Sequence, residues 1–323
     1  MKTPLDPKIE AMIQQMTRIN LRAHLSNAGV PEVLRKLIAH TADSAKYIGF
    51  LMGLVKRSFA GTDNIYEEKQ MQLDVFADEV LRQRLADETT FGVAEFASEE
   101  QGQILILRNQ GEEYSLTVDP LDGSSRIRVN GTVGTIVGIH KCPIIGGRPA
   151  RASLVAAMYV VYGPLTTLVY SAGKGVHEFV LDQTGNFVLG TEQLRIPEKG
   201  SLYSPGGQRT EWNPPHAKFI THLETNNYKL RYSGCLVADF HQLLIDGGGI
   251  FAYPVLRKGN KAKLRLLFEA QPLAFIVEQA GGRATDGQVD ILDIVATELD
   301  QRCPLYIGSQ REVKEAGDFL KQP

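Results

Sequence analysis

The chain has 323 residues, 43% of them hydrophobic and 22% charged, with a formal net charge of −2 from 35 basic and 37 acidic residues. This is the profile of an ordinary globular protein, long enough for one large or two closely joined domains, and the lack of a basic excess argues against a nucleic-acid partner. No apolar run reaches about eighteen residues, so no membrane span is expected.

The first thirty residues lack the apolar core of a signal peptide. Cys142, Cys235 and Cys303 lie far apart and form no CxxC pair, which disfavours a disulfide scaffold or a zinc cage and fits a reducing, cytoplasmic setting.

In chain order, residues from about 5 to 57 read as two helices, because Val33, Leu34, Leu37, Ile38, Ala45, Ile48 and Leu51 recur at helical spacing behind Pro31. The polar stretch from Ser58 to Gln70 reads as a loop. A third helix follows, with Leu73, Phe76, Ala77, Val80 and Leu81 on one face and Asp74 in its first turn. Strands are expected at Ile104–Leu107, Tyr114–Val118, Thr132–His140, Leu154–Val161, Leu165–Ser171 and Val176–Leu181. Pro197 to Pro215 is rich in Gly, Pro and Ser, and marks a boundary between a lobe at 1–196 and a lobe at 197–323. Beyond it come a strand at Lys229–Tyr232, a helix at Val237–Ile245 and strands at Ile250–Tyr253 and Lys263–Glu269. A helix at Leu273–Ala280 and a strand at Pro304–Ile307 complete the series. Such alternation predicts stacked α and β layers.

Three acidic segments end strand-like runs: Ser98-Glu99-Glu100, Asp119-Pro120-Leu121-Asp122-Gly123-Ser124-Ser125, and Leu266-Leu267-Phe268-Glu269. In the second, a turn can aim Asp119 and Asp122 at one point. Pro120 fixes φ and leaves the Leu121 carbonyl as a further hard oxygen. Gly123 permits close backbone approach, and Ser124 and Ser125 can present N–H and hydroxyl donors to an anion. Oxygen ligands followed at once by anion donors suit a divalent cation bridged to a phosphoryl group. Two carboxylates about 4 Å apart repel by roughly 4 kcal/mol at an effective dielectric of about 20, and an all-oxygen cluster selects Mg²⁺ or Mn²⁺ over zinc. Taken singly, each piece has a plainer account: a D-x-x-D turn, a solvated acidic loop, a helix-start carboxylate. The seven histidines form no HExxH or HxH pair, His241 reads as structural, and neither a Walker A loop nor GxGxxG occurs.

On Leu73-Asp74-Val75, Ser98-Glu99-Glu100, Asp119 to Ser125, Val133-Gly134-Thr135-Ile136, Gly248 to Pro254 and Lys263 to Glu269, continuing to Gly282, the chain resembles the class I fructose-1,6-bisphosphatase family. That family lies within the lithium-sensitive phosphatases that include inositol monophosphatase. The resemblance runs from about residue 60 to 310.

It implies a five-layer αβαβα sandwich, usually a homotetramer, that hydrolyses the 1-phosphate of fructose 1,6-bisphosphate in carbohydrate metabolism. It further implies two or more Mg²⁺ ions held by Glu99, Asp119, Asp122, Glu269 and the Leu121 carbonyl. Asp74 and Glu100 would orient and deprotonate the attacking water, with Glu68 assisting. Gly123, Ser124, Ser125 and Arg265 would hold the 1-phosphate and Lys263 the sugar. Tyr232 and Tyr253 would anchor the far phosphate, with Arg231 reaching in from a neighbouring subunit.

The chain departs from the family pattern at Arg126 and Arg128, at Gln72 and Glu67, and at Tyr203-Ser204-Pro205-Gly206-Gly207. The last is closer to sedoheptulose-1,7-bisphosphatase relatives and keeps that substrate, or both, open. Glu113-Tyr114 stands where AMP-inhibited members carry Lys-Tyr, so AMP inhibition is expected to be weak or absent. A phosphosugar-binding regulator without turnover would lack Asp74, Glu99 or Asp119, and all three are present.

Overall fold

A computed structural model of the chain describes residues 18–52, 59–63, 69–85, 92–107, 114–141, 143–259 and 261–321. The first half runs α1 (Leu21–Asn27), α2 (Glu32–Leu51), β1 (Phe59–Asp63), β2 (Lys69–Met71), α3 (Gln72–Leu85), β3 (Val93–Ser98), β4 (Leu105–Ile106), β5 (Tyr114–Asp122), β6 (Val133–Lys141), α4 (Ala150–Ser153), β7 (Leu154–Tyr162), β8 (Thr166–Ser171), β9 (His177–Leu181) and β10 (Phe187–Thr191). The second runs β11 (Leu202–Pro205), α5 (Pro214–Thr225), β12 (Lys229–Leu230), α6 (Leu236–Ile245), β13 (Gly249–Tyr253), β14 (Leu264–Arg265), α7 (Gln271–Gln279), β15 (Arg283–Thr285), β16 (Arg302–Cys303), β17 (Leu305–Gly308) and α8 (Gln310–Leu320).

An eight-stranded sheet of order β10-β9-β8-β7-β6-β5-β3-β4 stands beside a five-stranded sheet of order β12-β11-β13-β17-β15. Side chains alternate across a strand, and the alternation divides the core into layers. Val137, Ile139, Met158 and Val160 share one cluster with Leu37, Ile48, Leu73 and Ala77, so α1 to α3 cover that face. Ile136, Ala157 and Tyr159 face the other way and pack with Phe240 and Leu243 of α6 and Leu273 and Val277 of α7. Phe251 and Ile307 join this same cluster, whereas Ile250, Ala252 and Tyr306 pack against Phe219, Ile220 and Val313 of α5 and α8. The succession is helix, sheet, helix, sheet, helix, the layered sandwich that the resemblance implies. Because both sheets are covered on both faces, all nine positions of β5 are buried, although Tyr114, Leu116 and Val118 read as a half-buried alternation.

Local chemistry accounts for the helix starts. The Asn20 side chain accepts from Ala23 N at 2.9 Å, and Asn213 accepts from His216 N at 2.9 Å, with Pro214 and Pro215 in the first turn of α5.

Three expectations need correction. The polar stretch read as a loop carries β1 and β2, an antiparallel pair in register at Phe59↔Met71; a short ladder needs no apolar pattern. Val33 is 42% exposed and is not on the buried face of α2. The strand expected over Lys263–Glu269 stops at Arg265, and Leu266–Ala270 winds as a π-helical turn into α7. The stretch read as a boundary also carries a strand, β11, paired in parallel with β13.

Candidate active site

β3 and β5 run parallel, with Ser98 opposite Val118, so their carboxyl ends open at the same edge of the sheet, where α/β folds place ligands. Glu99 N donates to Val118 O at 2.9 Å, which sets Glu99 beside Asp119.

In a regular strand, residues three apart point to opposite faces. Here Asp119 pairs with Ile136 and Asp122 with Gly134, an extra residue on β5 that makes a bulge. The bulge brings both carboxylates to one face, a device common beside active sites. A bulged strand, not a turn, therefore converges Asp119 and Asp122. The π-helical turn does the same for Glu269, whose carboxylate accepts from Arg265 N at 2.6 Å. One oxygen from each of Asp119, Asp122 and Glu269 lies within 4.8 Å of the others, and all three residues are buried.

The surroundings make this cluster electrostatically costly. Burial, then Glu99, Asp122 and Glu269, push the Asp119 carboxyl well above its ordinary range. Burial, then Glu99 and Asp122, push Glu269 up to about 8. Asp122 is also raised by burial, but less freely, because Val237 N donates to it at 2.6 Å from the start of α6. Three buried carboxylates, all raised by burial and two of them also by their neighbours, are matched to a divalent cation, whose charge offsets the repulsion and whose preference is for oxygen. The residues present fit such a group.

Gly123 follows at φ 76°, a left-handed conformation. A Cβ there would lie 2.6 Å from Cys235 Cβ, so only glycine lets the α6 entry close on β5. Ser124 opens a 3₁₀ turn, Ser124–Val129, and the first N–H groups of such a turn have no acceptor within it.

A cavity of about 240 Å³ gathers Asp74, Glu99, Glu100, Asp119, Leu121, Asp122, Gly123, Ser124, Ser125, Tyr232, Tyr253, Lys263, Arg265 and Glu269. Arg231 is the exception among the described residues expected to bind metal, water or substrate. It is exposed and donates to Leu230 O at 2.8 Å. Glu67, Glu68 and Glu113 lie outside the described residues. Arg126 and Arg128 do not line the cavity.

Arg265 is 4% exposed, and its guanidinium binds Glu99 and, at 3.1 Å, Asp300. The expected phosphate ligand and the expected metal ligand thus hold each other. At the far end Lys263 Nζ stands 5.8 Å from the Tyr253 ring centroid, and Gly207 N donates to the Tyr232 hydroxyl. A Cβ at Gly206 would lie 1.9 Å from that Tyr253 ring, so the Tyr203–Gly207 segment shapes this end directly.

Sequence reasoning missed four contributors: Cys235, with Sγ 3.3 Å from Asp122 Oδ2, the Val237 amide, Arg302 in the cavity wall and Asp300. Cys235 and Val237 lie more than a hundred positions from Asp122, and no local motif marks them.

Comparison with known proteins agrees with this geometry. The fructose-1,6-bisphosphatase N-terminal domain family matches residues 15–192 and its C-terminal domain family residues 196–321. A class 1 fructose-1,6-bisphosphatase of Pelobacter propionicus is 44% identical over 95% of this chain and 94% of its own. One from Methanocorpusculum labreanum is 42% identical over 91% and 89%. The crystal structure of Leishmania major fructose-1,6-bisphosphatase in holo form superposes with a TM-score of 0.89 at 33% identity, over 95% of this chain and 100% of that one. A Toxoplasma gondii structure, assigned provisionally as a sedoheptulose-1,7 bisphosphatase, gives 0.85 at 29% identity over 94% and 98%. With both halves of the chain matched and the carboxylate cluster in place, this protein belongs to the fructose-1,6-bisphosphatase family.

Proposed function

We propose that the chain hydrolyses the 1-phosphate of fructose 1,6-bisphosphate to fructose 6-phosphate and inorganic phosphate, in a reaction that needs a divalent cation. The observation that carries this reading is one cavity with buried carboxylates and the Ser124–Ser125 turn at one end and Tyr232, Tyr253 and Lys263 at the other. A substrate with two phosphates on one sugar has the same polarity.

In this reading Asp119, Asp122, Glu269 and the Leu121 carbonyl, with Glu99 once it leaves Arg265, hold two or more Mg²⁺ ions, Mn²⁺ serving as a substitute. The cation supplies a Lewis acid for the phosphoryl oxygens and makes water easier to deprotonate. Asp74, in the first turn of α3, and Glu100, after β3, orient the attacking water and take its proton. Gly123, Ser124 and Ser125 present the phosphoryl group for displacement in line, and Arg265 turns from Glu99 to the phosphate. Glu68 assists from the segment before β2.

Tyr232 and Tyr253 anchor the far phosphate, and Lys263 bonds the sugar. The exposed Arg231 reaches a neighbouring subunit of a homotetramer. The free Cys235 and Cys303 suit a reducing cytoplasm, and AMP inhibition is weak or absent. Residues 1–196 and 197–323 act as two lobes with the cavity at their junction.

The test is phosphate release from fructose 1,6-bisphosphate with and without Mg²⁺, beside sedoheptulose 1,7-bisphosphate. Mg²⁺-dependent turnover with the higher kcat/KM on the fructose ester is the expected result; no release from either ester rules the reading out. The Tyr203–Gly207 segment against Tyr253 favours some turnover of the longer sugar as the second reading.

A further inference from the structure

On the opposite edge of the eight-stranded sheet, away from the acidic cavity, a second group of side chains converges. His24 of α1, His177 of β9 and Glu192, just after β10, each place one ligand atom within 4.8 Å of the others. His24 and His177 are 4% exposed each, while the Glu192 side chain is 59% exposed. Their segments are tied by backbone: Asn20 bridges Val188, and Leu189 N donates to Ile19 O at 2.9 Å.

Each imidazole has one nitrogen committed outward from the group. His24 Nδ1 is 2.7 Å from the Tyr170 hydroxyl, leaving Nε2, which faces Glu192 Oε1 at 3.3 Å. His177 Nε2 is 3.3 Å from Lys174 O, leaving Nδ1, which receives only a long contact from Gln193 N at 3.4 Å. The two rings stand with centroids 4.4 Å apart at 60° and share no hydrogen bond. Gln193, at φ 56°, turns the chain here in a conformation unusual for a residue other than glycine, and its side chain occupies the space beside Gly175 that a Cβ would close.

A buried hydrogen-bonded pair would join the rings to each other. Here His24 Nε2 faces the Glu192 carboxylate, His177 Nδ1 accepts the long bond from Gln193 N that a cation would displace, and each ring has its other nitrogen held by a hydroxyl or a backbone carbonyl. That is how histidine ligands are oriented around metals. Two imidazoles and one carboxylate form an N₂O donor set, which suits zinc and its late first-row neighbours and not Mg²⁺ or Ca²⁺. Zinc bonds of about 2.1 Å need donors closer than they stand here, and the exposed Glu192 carboxylate is free to swing inward.

We propose that His24, His177 and Glu192 form a site for a late first-row divalent cation, zinc by donor set, that pins α1 to the sheet edge. The site is separate from the acidic cavity and joins positions 168 residues apart in the chain. It stabilises the fold and takes no part in turnover.

The test uses the full chain in excess Mg²⁺, with Asp119→Asn run beside it so that zinc held by the carboxylates is counted separately, Zn²⁺ measured by equilibrium dialysis and melting followed in parallel. The wild type is expected to keep one Zn²⁺ per chain, and Zn²⁺ is expected to raise its melting temperature by several degrees. His177→Gln and Glu192→Gln lose both effects while retaining Mg²⁺-dependent phosphatase activity within about twofold, and Tyr170→Phe weakens zinc affinity by about 10- to 100-fold. Should His177→Gln fail to fold, the exposed Glu192→Gln still decides the matter. Zinc retention unchanged in Glu192→Gln, or no zinc retained by the wild type under excess Mg²⁺, overturns the proposal.

Discussion

The acidic cavity and the His24–His177–Glu192 group both gather metal-ligating side chains, yet they tax the fold differently. In the cavity, Asp119, Asp122 and Glu269 are all buried, and burial raises all three carboxyl pKa values, with neighbouring carboxylates adding to the rise at Asp119 and Glu269. At the sheet edge the ligands include two imidazoles, and His177 is lowered by burial and by His24, which favours its neutral form. The lone carboxylate there, Glu192, lies largely in solvent. A cluster of buried like charges is a structure waiting for a cation, whereas two buried imidazoles beside one solvated carboxylate carry no such repulsion. In the proposed reading the first serves turnover, and its cost is accepted for function.

The sharpest way to break this contrast is to remove one charge from the cavity. Asp119→Asn keeps shape and a hydrogen-bond acceptor for Leu121 N, now 3.0 Å from Oδ1. Phosphatase kcat is expected to fall by about a thousandfold, on the order of 4 kcal/mol of transition-state stabilisation. The metal-free variant should melt at or above the wild-type temperature, because a repulsion has gone. Steady-state kinetics and scanning calorimetry in chelator check both halves. An unchanged kcat refutes the metal role, and a large fall in melting temperature refutes the electrostatic cost.

Next in size comes the cation itself. Ligand at about a hundred times its Kd stabilises the native state by about 2.7 kcal/mol, so Mg²⁺ should raise the melting temperature by several degrees and chelator should reverse it. Asp119→Asn should lose most of that rise, while Glu192→Gln should keep it whole. Equal responses in the two variants would mean that Mg²⁺ acts elsewhere.

How these two regions differ in legibility follows from the same geometry. Asp119 to Ser125 is contiguous, and its residue types announce oxygen ligands followed by anion donors, so the cavity's centre could be read directly. Asp74 was equally plain, a carboxylate in the first turn of an amphipathic helix. The bulge that makes Asp119 and Asp122 face the same way was not, because register is set by β6 across the ladder. Nor was the π-helical turn under Glu269, where apolar Leu266, Leu267 and Phe268 read equally well as a strand. α5 was hidden by Pro214 and Pro215, which look like loop residues but serve as the first turn behind Asn213. The pairing of Arg265 with Glu99, 166 positions away, is visible only once the sheets are stacked. The sheet-edge histidines leave no motif at all, since His24 of α1 meets His177 of β9 only once the helix packs on the sheet edge.

A third class of buried titratable group sharpens the comparison with a smaller effect. His140 and His216 are solitary, buried and neutral: burial lowers His140 to about 4 and His216 to about 3. Both are anchored by a hydroxyl, His140 Nε2 to Thr117 Oγ1 at 3.0 Å and His216 Nδ1 to the Tyr306 hydroxyl at 3.1 Å. A histidine depressed in the folded state contributes stability that is fully present above its unfolded pKa of about 6.5 and is lost as pH falls toward the folded value. Between pH 6.5 and 5, each forfeits up to about 2 kcal/mol at roughly 1.4 kcal/mol per unit. Urea midpoints of the Mg²⁺-saturated protein should therefore fall from pH 6.5 to 5, and His216→Gln, which has nothing to protonate there, should flatten the slope by about one proton even though its midpoint at pH 7 is lower. A slope identical to that of the wild type would mean that His216 is already charged in the native state, with that charge held in the buried interior between α5 and β17.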